Sequence, residues 1–484
     1  MASTSIWRKK PIYAYQAEAK RNDLKRVLTR WGLTSLGIGA IIGGGIFTLT
    51  GIAAHDHAGP ALAVSFIIAG IGCLFASLCY AEFASVLPVE GSAYAYAYGT
   101  VGELFAWFIG WNLILEYMMG ATTVAVAWSG YFSKLIKLFG LHIPDWLNND
   151  PVTYGGFAFN LPAFLITWVV TAILIKGIKE AANTNNVIVV LKIAVVLFVI
   201  IVGAFFIDTQ NWVPFIPERT FDADGQGHFG WSGVLTGATI VFFAYIGFDA
   251  VSTQAAEAIN PKKDIPFAII ASLIICTILY ILVSLVLTGM VPFTSLDLKA
   301  PVASAFSGAG IDWAVYLITI AATAGLTSVM LVMMLGQTRI FLGMAKDGLL
   351  PRSLFGAIHP IHKTPYKSTI LVGGIVSIVS ATTPIEKVSE MCSMGTLLAF
   401  AMVSAAVLIL RIKEPQLERP YKTPAIYFVA PMGVLFNLFL MTQVRINTWY
   451  AFLIWGSIGL AVYFLYSQRN SNLSKENYYE NLHS

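Results

Sequence analysis

The sequence predicts an all-α polytopic membrane protein with twelve transmembrane helices, and three observations support this fold class. Of its 484 residues, 57% are apolar and only 12% are charged, whereas a soluble domain carries about 25% charged residues. Windows of roughly 20 residues, the length that crosses a bilayer, give twelve apolar spans. Glycine-rich sequences interrupt the first and the sixth span. The spans lie near residues 32–55, 60–86, 101–132, 161–178, 185–207, 233–257, 265–291, 313–344, 366–382, 388–410, 424–444 and 447–467.

The two interruptions occupy equivalent places in the two halves of the chain. Residues 37–47 read Gly-Ile-Gly-Ala-Ile-Ile-Gly-Gly-Gly-Ile-Phe, and residues 242–250 read Phe-Phe-Ala-Tyr-Ile-Gly-Phe-Asp-Ala. Each consecutive glycine weakens a helix by roughly 1 kcal/mol relative to alanine. Unwound backbone is tolerated in hydrocarbon only where protein or a water-filled cavity surrounds it. Paired breaks of this kind point to the substrate site of a transporter.

The breaks also divide the chain into two blocks. Residues 31–207 and 231–410 each hold five spans, and each block opens with an interrupted span. An odd number of spans gives the second block the opposite orientation in the membrane, so we expect a five-plus-five inverted repeat. Residues 424–467 hold helices 11 and 12, which lie outside the repeat. Residues 1–30 are expected to form a cytoplasmic N-terminal segment, and residues 468–484 a cytoplasmic tail.

The distribution of basic residues sets the expected orientation. The net charge is +4, and with both termini in the cytoplasm 23 Lys and Arg residues fall on the inner side and 6 on the outer side. This bias follows the positive-inside rule. Basic clusters flank the spans, where they meet lipid headgroups, so nucleic acid is not an expected partner. Residues 1–30 lack the apolar core of a cleavable signal, and the first span is expected to direct insertion into the cell (inner) membrane.

Composition gives no sign of a metal or cofactor site. The four cysteines fall in or beside apolar spans, without the spacing of metal ligands, and are expected as free thiols that pack as small apolar groups. They are Cys73, Cys79, Cys276 and Cys392. No cluster of metal-binding residues, nucleophile motif or soluble catalytic domain is visible, so the chain is not expected to be an enzyme.

The first break offers backbone groups that suit an amino acid zwitterion. Unwound backbone at Gly43, Gly44 and Gly45 would leave N–H groups free at the start of a half-helix, which attracts carboxylates. Carbonyls near residues 39–41 would suit an ammonium group. The alternative is that the glycines only permit close helix packing. At the second break, Phe243 and Ile246 would form an apolar wall, although large apolar residues in a span are usually packing.

Three charged residues lie inside predicted spans, where charge is costly and a functional role is the default hypothesis. They are Glu116, Lys192 and Asp249. Burial makes proton exchange by a lysine possible near neutral pH. The alternative is a static ion pair from Lys192 to Glu116 or Asp249. By contrast, Glu82 lies at a span end and is expected to pair with loop arginines or lysines.

The order of motifs along the chain resembles that of a known family. Residues 37–47 resemble the helix-1 signature of the amino acid–polyamine–organocation superfamily. Further motifs follow in order along nearly the whole chain, and the most similar branch is that of the cationic amino acid transporters in its compact bacterial form. These motifs include Cys79-Tyr80-Ala81-Glu82-Phe83, Gly91-Ser92-Ala93-Tyr94, residues 242–253, Asn260-Pro261, and Arg339 with Asp347-Gly348-Leu349-Leu350-Pro351.

The resemblance implies the fold of the sodium-coupled leucine transporter and transport by alternating access. Lys192 matches a helix-5 lysine that replaces the sodium ion in proton-coupled relatives. Phe243 matches an aromatic gate, and Met333 matches a size-limiting position on helix 8. Gly44 departs from the Ser or Thr found in many relatives. The substrate-binding set expected from both lines of reasoning is Ile41, Ile42, Gly43, Gly44, Gly45, Phe243, Ala244, Ile246 and Met333.

The resulting hypothesis is a monomeric proton-coupled symporter for small neutral L-amino acids such as alanine. Phe243, Ile246 and Met333 are all apolar, and a cationic side chain would lose its hydration among them without compensation. A cationic amino acid transporter, a sodium-coupled symporter and an exchanger are the alternatives, although a helix-5 lysine competes with sodium. An amino acid sensor is the alternative from another class. Binding of a small auxiliary membrane subunit is left open.

Overall fold

The computed structural model describes residues 6–11, 28–86, 92–177, 181–221, 227–254 and 258–474. It is mostly helical, as predicted. Fourteen helices of eight or more residues lie in these ranges. They are α1 (Arg30–Ile41), α2 (Leu62–Val86), α3 (Ser92–Thr100), α4 (Glu103–Leu138), α5 (Leu161–Lys176), α6 (Ala181–Gly203), α7 (Gly230–Phe242), α8 (Pro261–Met290), α9 (Pro301–Gly308), α10 (Asp312–Lys346), α11 (Tyr366–Thr382), α12 (Ile385–Lys413), α13 (Ile426–Thr442) and α14 (Ile446–Val462).

Eight helical stretches of the described chain are long and apolar enough to cross a membrane. Three shorter apolar helices, α5, α11 and α13, have 16 or 17 residues each. Helical segments therefore lie within all of the predicted ranges, but the count of twelve crossings and the inverted repeat stay predictions.

The first two predicted spans are joined more closely than the sequence indicated. After the first break, π-helical turns at Gly45–Leu49 and Ala53–Ala58 flank a short helix, Thr50–Ile52. Gly59 then takes a positive φ of 59° and is followed by Pro60, after which a 3₁₀ turn leads into α2. A positive φ is a conformation that only glycine adopts without strain.

Small residues set the distances between the long helices. A Cβ on Gly336 of α10 would lie 2.4 Å from the ring of Tyr117 on α4, and one on Gly373 of α11 would lie 2.2 Å from Thr171 on α5. Both distances are too short for a real Cβ, so glycine is what permits these approaches. Lipid gives no hydrophobic drive for helices to associate, and close packing of small residues replaces it.

Outside the helices, the described chain has one two-stranded sheet. Strand β1 (Thr220–Phe221) pairs antiparallel with β2 (Gly227–His228) just before α7. The backbone N–H of Phe229 donates to the carbonyl of His57 at 3.0 Å. The loop that leads into α7 is thus tied to the far end of the first predicted span.

Glu82 forms the kind of ion pair that the sequence predicted. Its carboxylate is 1% exposed and accepts from Arg411 Nε at 3.0 Å and from the Thr423 N–H at 2.8 Å. Arg419 Nε lies 3.2 Å from the same carboxylate. One carboxylate therefore pairs with two guanidinium groups and fixes the segment between α12 and α13 against α2.

We expect Glu82→Gln to lower the free energy of unfolding by about 3 kcal/mol, because it leaves buried cationic groups without their counter-ion. The measurement is the thermal melting temperature of the purified protein in detergent. Glu418→Gln, at an exposed position next to Arg419, is the matched control and should melt like the parent. A Glu82→Gln variant that melts at the parent temperature would contradict the structural role of this ion pair.

Candidate functional site

The first break lies where the glycine pattern placed it. Helix α1 ends at Ile41, and Ile42 is extended, with φ −70° and ψ 103°. Helical structure resumes at Gly45. The first turn of any helical segment leaves N–H groups without intrahelical acceptors. These donors lie next to Gly43 and Gly44, the predicted position for a carboxylate.

The second break has the same form. Helix α7 ends at Phe242, a 3₁₀ turn covers Phe243–Tyr245, and Ile246 is extended with φ −62° and ψ 132°. Gly247 has a positive φ of 120°, so only glycine fits there without strain. A 3₁₀ helix, Asp249–Gln254, follows.

The two breaks are in direct contact. A Cβ on Gly45 would lie 2.3 Å from Ala244 Cα, and a Cβ on Gly247 would lie 2.9 Å from the Ala40 carbonyl oxygen. Each glycine thus lets one broken segment rest on the backbone of the other. At Gly45 the packing interpretation of the sequence pattern therefore applies.

Gly44 has different surroundings. A Cβ at this residue would meet Val124, Ala127 and Phe243 only at 3.6–3.7 Å, which is ordinary van der Waals contact. Gly44 thus faces a wall of apolar side chains from α4 and from the second break. Gly43 is tighter, because its Cβ would lie 2.9 Å from Val329 of α10. Val124 and Ala127 were not among the residues expected from the sequence.

Tyr280 of α8 joins the two breaks, and sequence reasoning missed it. Its hydroxyl lies 2.9 Å from the carbonyl oxygen of Ile41 and 3.0 Å from that of Ala244. The hydroxyl has one proton, so the two carbonyls share a single donor. Because a buried tyrosine hydroxyl usually has a partner, a tyrosine in an apolar span was the available signal. One of the carbonyls predicted for an ammonium group thus already accepts a hydrogen bond.

Lys192 is buried between α1 and α10. Its Nζ donates to the carbonyl oxygen of Gly39 at 2.9 Å, and its side chain packs on Gly325, where a Cβ would lie 3.1 Å from Lys192 Cε. Across the part of the chain that the structure describes, Lys192 forms no ion pair. The static pair with Glu116 or Asp249 is absent, and the lysine instead contacts the end of the helix that precedes the first break.

Glu116 and Asp249 are both buried, at 1% exposure each. Neither forms an ion pair with Lys192 among the described residues. The Tyr117 hydroxyl donates to Asp249 Oδ2 at 3.4 Å. Neither carboxyl oxygen of Glu116 has a hydrogen-bond partner among the described residues, since the neighbouring Thr396 hydroxyl donates to the Cys392 carbonyl instead.

Met333 is buried against α4. Its sulfur is 3.4 Å from the position of a Cβ on Gly120. Gly120 is one turn along α4 from Glu116 and one turn from Val124, which are about 12 Å apart at 1.5 Å per residue. Met333 therefore contacts α4 between the turns that carry Glu116 and Val124.

Comparison with known proteins now assigns the family. The family model described as amino acid permease matches residues 28–466. This chain belongs to the amino acid permease family. It is 46% identical to the branched-chain amino acid permease BcaP of Bacillus subtilis, over 97% of this chain and 99% of that protein. It is 44% identical to the methylthioribose transporter of the same organism, over 98% of this chain and 100% of that protein.

More distant relatives of this permease are cationic amino acid transporters. The vacuolar cationic amino acid transporter 4 of Arabidopsis thaliana is 39% identical over 81% of this chain and 64% of that protein. The superfamily resemblance found in the sequence is thereby confirmed. The chain matches the two bacterial relatives over nearly their full length and the plant cationic amino acid transporter over 64% of its length.

We expect Tyr280→Phe to weaken substrate binding two- to ten-fold. The substitution removes the hydrogen-bond donor that joins the carbonyls of the two breaks, and one such hydrogen bond contributes about 0.5–1.5 kcal/mol. The measurement is binding of a radiolabelled amino acid to the detergent-solubilised permease. Tyr245→Phe is the matched control, since its hydroxyl donates to the Phe66 carbonyl, at 2.8 Å, and among the described residues it bonds neither Ile41 nor Ala244. Equal affinities in the two variants would remove Tyr280 from the site.

Proposed function

We propose that this permease is a proton-coupled symporter that takes up small neutral L-amino acids by alternating access. The observation that carries the proposal is the contact of two broken helices beside an apolar wall. Backbone groups at the breaks would bind the charged ends of the zwitterion, and Val124, Ala127 and Phe243 would accept an apolar side chain. Ile41, Ile42, Ala244 and Ile246 would contribute backbone contacts.

The proposed architecture follows the sequence pattern. Twelve helices would form two inverted blocks, 31–207 and 231–410, with residues 424–467 outside the repeat and both termini in the cytoplasm. In this arrangement the two broken spans are equivalent members of the two blocks. Their mutual contact supports the assignment, because equivalent elements of inverted repeats meet at the pseudo-two-fold axis near the midplane.

The names of the two full-length relatives support a neutral substrate. One is named for branched-chain amino acids and the other for methylthioribose, and neither substrate has a charged side chain. Methylthioribose also lacks a carboxylate and an ammonium group. Recognition through backbone at the breaks would therefore favour an amino acid over this sugar. We propose alanine as the preferred substrate and branched-chain residues as competitors.

The experiment is uptake of radiolabelled alanine into proteoliposomes with an imposed proton gradient, in competition with a panel of unlabelled compounds. The panel contains the branched-chain amino acids, arginine, lysine and methylthioribose. Concentrative uptake that alanine inhibits most strongly supports the proposal. Arginine as the strongest competitor would favour a cationic amino acid transporter. Binding without uptake would favour a sensor, and uptake only against internal amino acid would favour an exchanger.

Lys192 would be the coupling proton site. It is a buried cation whose described contact is a backbone carbonyl of α1, so the strength of that contact depends on its proton. A charge-assisted hydrogen bond weakens when the donor becomes neutral. Deprotonation would therefore loosen α1 at its break. Glu116 and Asp249 would contribute a second proton-accepting pair.

We expect Lys192→Ala to abolish uptake driven by a proton gradient while amino acid exchange across the membrane remains, because binding uses other groups. Uptake and counterflow are measured in parallel in proteoliposomes. Lys137→Ala, at an exposed position on α4, is the control and should keep both activities. Concentrative uptake by Lys192→Ala under a proton gradient alone would refute the coupling role.

We expect arginine to compete at least about ten-fold better in Met333→Ser than in the parent. The shortened side chain would open the path to Glu116. The carboxyl group of Glu116 has no partner in the described structure and can pair with a guanidinium. The measurement is the half-inhibitory concentration of arginine in the alanine uptake assay. Met344→Ser, a buried methionine on the same helix against Gly110, is the control. An unchanged substrate range in Met333→Ser would show that Met333 does not limit the pocket.

A further inference from the structure

A second charged cluster lies at the C-terminal end of the first predicted span, on the other side of the break from the Lys192 contact. His57, in the π-helical turn that ends this span, is 2% exposed. Its Nε2 lies 3.2 Å from Glu386 Oε1 in the first turn of α12. Arg445, which precedes α14, pairs with Glu386 and also lies 3.4 Å from Glu390. We call these four residues the outer latch.

The latch joins two groups of elements. On one side, His57 belongs to the segment that begins at the first break, and its carbonyl accepts from the N–H of Phe229 at 3.0 Å. A Cβ on Gly233 of α7 would lie 2.2 Å from this carbonyl oxygen. The outer halves of both broken spans are therefore packed together at His57. On the other side are α12 and α14.

When both carboxyl groups of the latch are ionised, its charges balance only if His57 is protonated. Glu386 and Glu390 carry two negative charges, and Arg445 carries one positive charge. Thr448 donates to Glu390 at 2.6 Å and adds no charge. A neutral His57 leaves the latch at −1, and a protonated His57 brings it to zero. The Nδ1 of His57 has no hydrogen-bond partner among the described residues.

Other titratable groups also surround His57. The ring of His228 on β2 stacks on it at 5.3 Å between centroids, and His228 Nδ1 bonds the Asp56 carbonyl. Asp56 pairs through its side chain with His55 at 2.5 Å. The Asp56 carboxylate thus contacts His55, and Glu386 is the carboxylate that contacts His57.

We propose that the outer latch is a pH-sensitive gate, in which protonation of His57 holds the outer halves of the two broken spans closed against α12 and α14. Closure brings His57 to Glu386, so proton binding and closure favour each other. Acidification that protonates His57 strengthens the closed arrangement, and loss of that proton at alkaline pH releases it.

This inference rests on the orientation and the alternating access of the proposed function, but it can be tested without transport. Thr48 lies between the first break and His57, is 1% exposed, and has a hydroxyl with no described partner. Cysteine is close to threonine in size. The four native cysteines are buried, so the parent chain provides a low labelling background.

The experiment measures the labelling rate of Thr48→Cys in right-side-out vesicles with a membrane-impermeant methanethiosulfonate at pH 5.5 and 7.5. The rates are compared in the His57, His57→Gln and Glu386→Gln backgrounds. Thiol chemistry is the same in all three, so the ratio of rates at the two pH values isolates the latch. His142→Gln, at an exposed loop position, is the control for loss of a histidine.

For each variant, the labelling rate at pH 7.5 is divided by the labelling rate at pH 5.5. We expect this ratio to be about three-fold larger with His57 than with His57→Gln, because a single ion pair has an effect of this size. Glu386→Gln should behave like His57→Gln, and His142→Gln like the parent. Equal ratios with and without His57 would overturn the proposal. Labelling that is equally slow in all backgrounds at both pH values would overturn it too, because breaking the latch would then open nothing. Either outcome is independent of whether alanine is carried.

Discussion

The contact between the two interrupted spans is the constraint on which the rest of the site depends. Gly45 packs on Ala244, and Gly247 packs on the Ala40 carbonyl. A side chain at either glycine would push the two breaks apart. Tyr280 then holds the carbonyl ends of Ile41 and Ala244 with a single hydroxyl. Backbone that would be costly in lipid is thereby buried in protein.

Charge in this protein is divided between paired groups near helix ends and unpaired groups within the spans. Glu82 is paired with Arg411 and Arg419. Lys192 and Glu116 have no counter-ion in the described structure. A buried charge without a counter-ion is expensive. The proposed proton coupling would therefore act through the unpaired groups.

The sequence predicted those parts of the site whose chemistry is local. Three consecutive glycines at the first break and Gly247 in an apolar span at the second are visible in the sequence, and so is a lysine in an apolar run. The partners were not predictable, because they come from distant parts of the chain. Lys192 meets Gly39, 153 residues away, and Tyr280 looks like any aromatic residue in a span. Gly44 and Gly45 are adjacent, but their surroundings differ. Gly45 permits close approach to Ala244, whereas Gly44 faces the apolar wall, and only the structure shows this difference.

The first span is held at separate points on either side of its break, and this separation has a mechanical consequence. Before the break, the Gly39 carbonyl is bonded to Lys192. After it, the Phe47 carbonyl accepts from Tyr131 at 2.6 Å, and His57 reaches Glu386. Ile42 and Gly43 lie between these anchors, where α1 has ended and Ile42 is extended, so the two halves do not form one continuous helix. A proton at Lys192 and a proton at His57 would thus act on different halves, so that the inner and the outer side can be released at different steps, as alternating access requires.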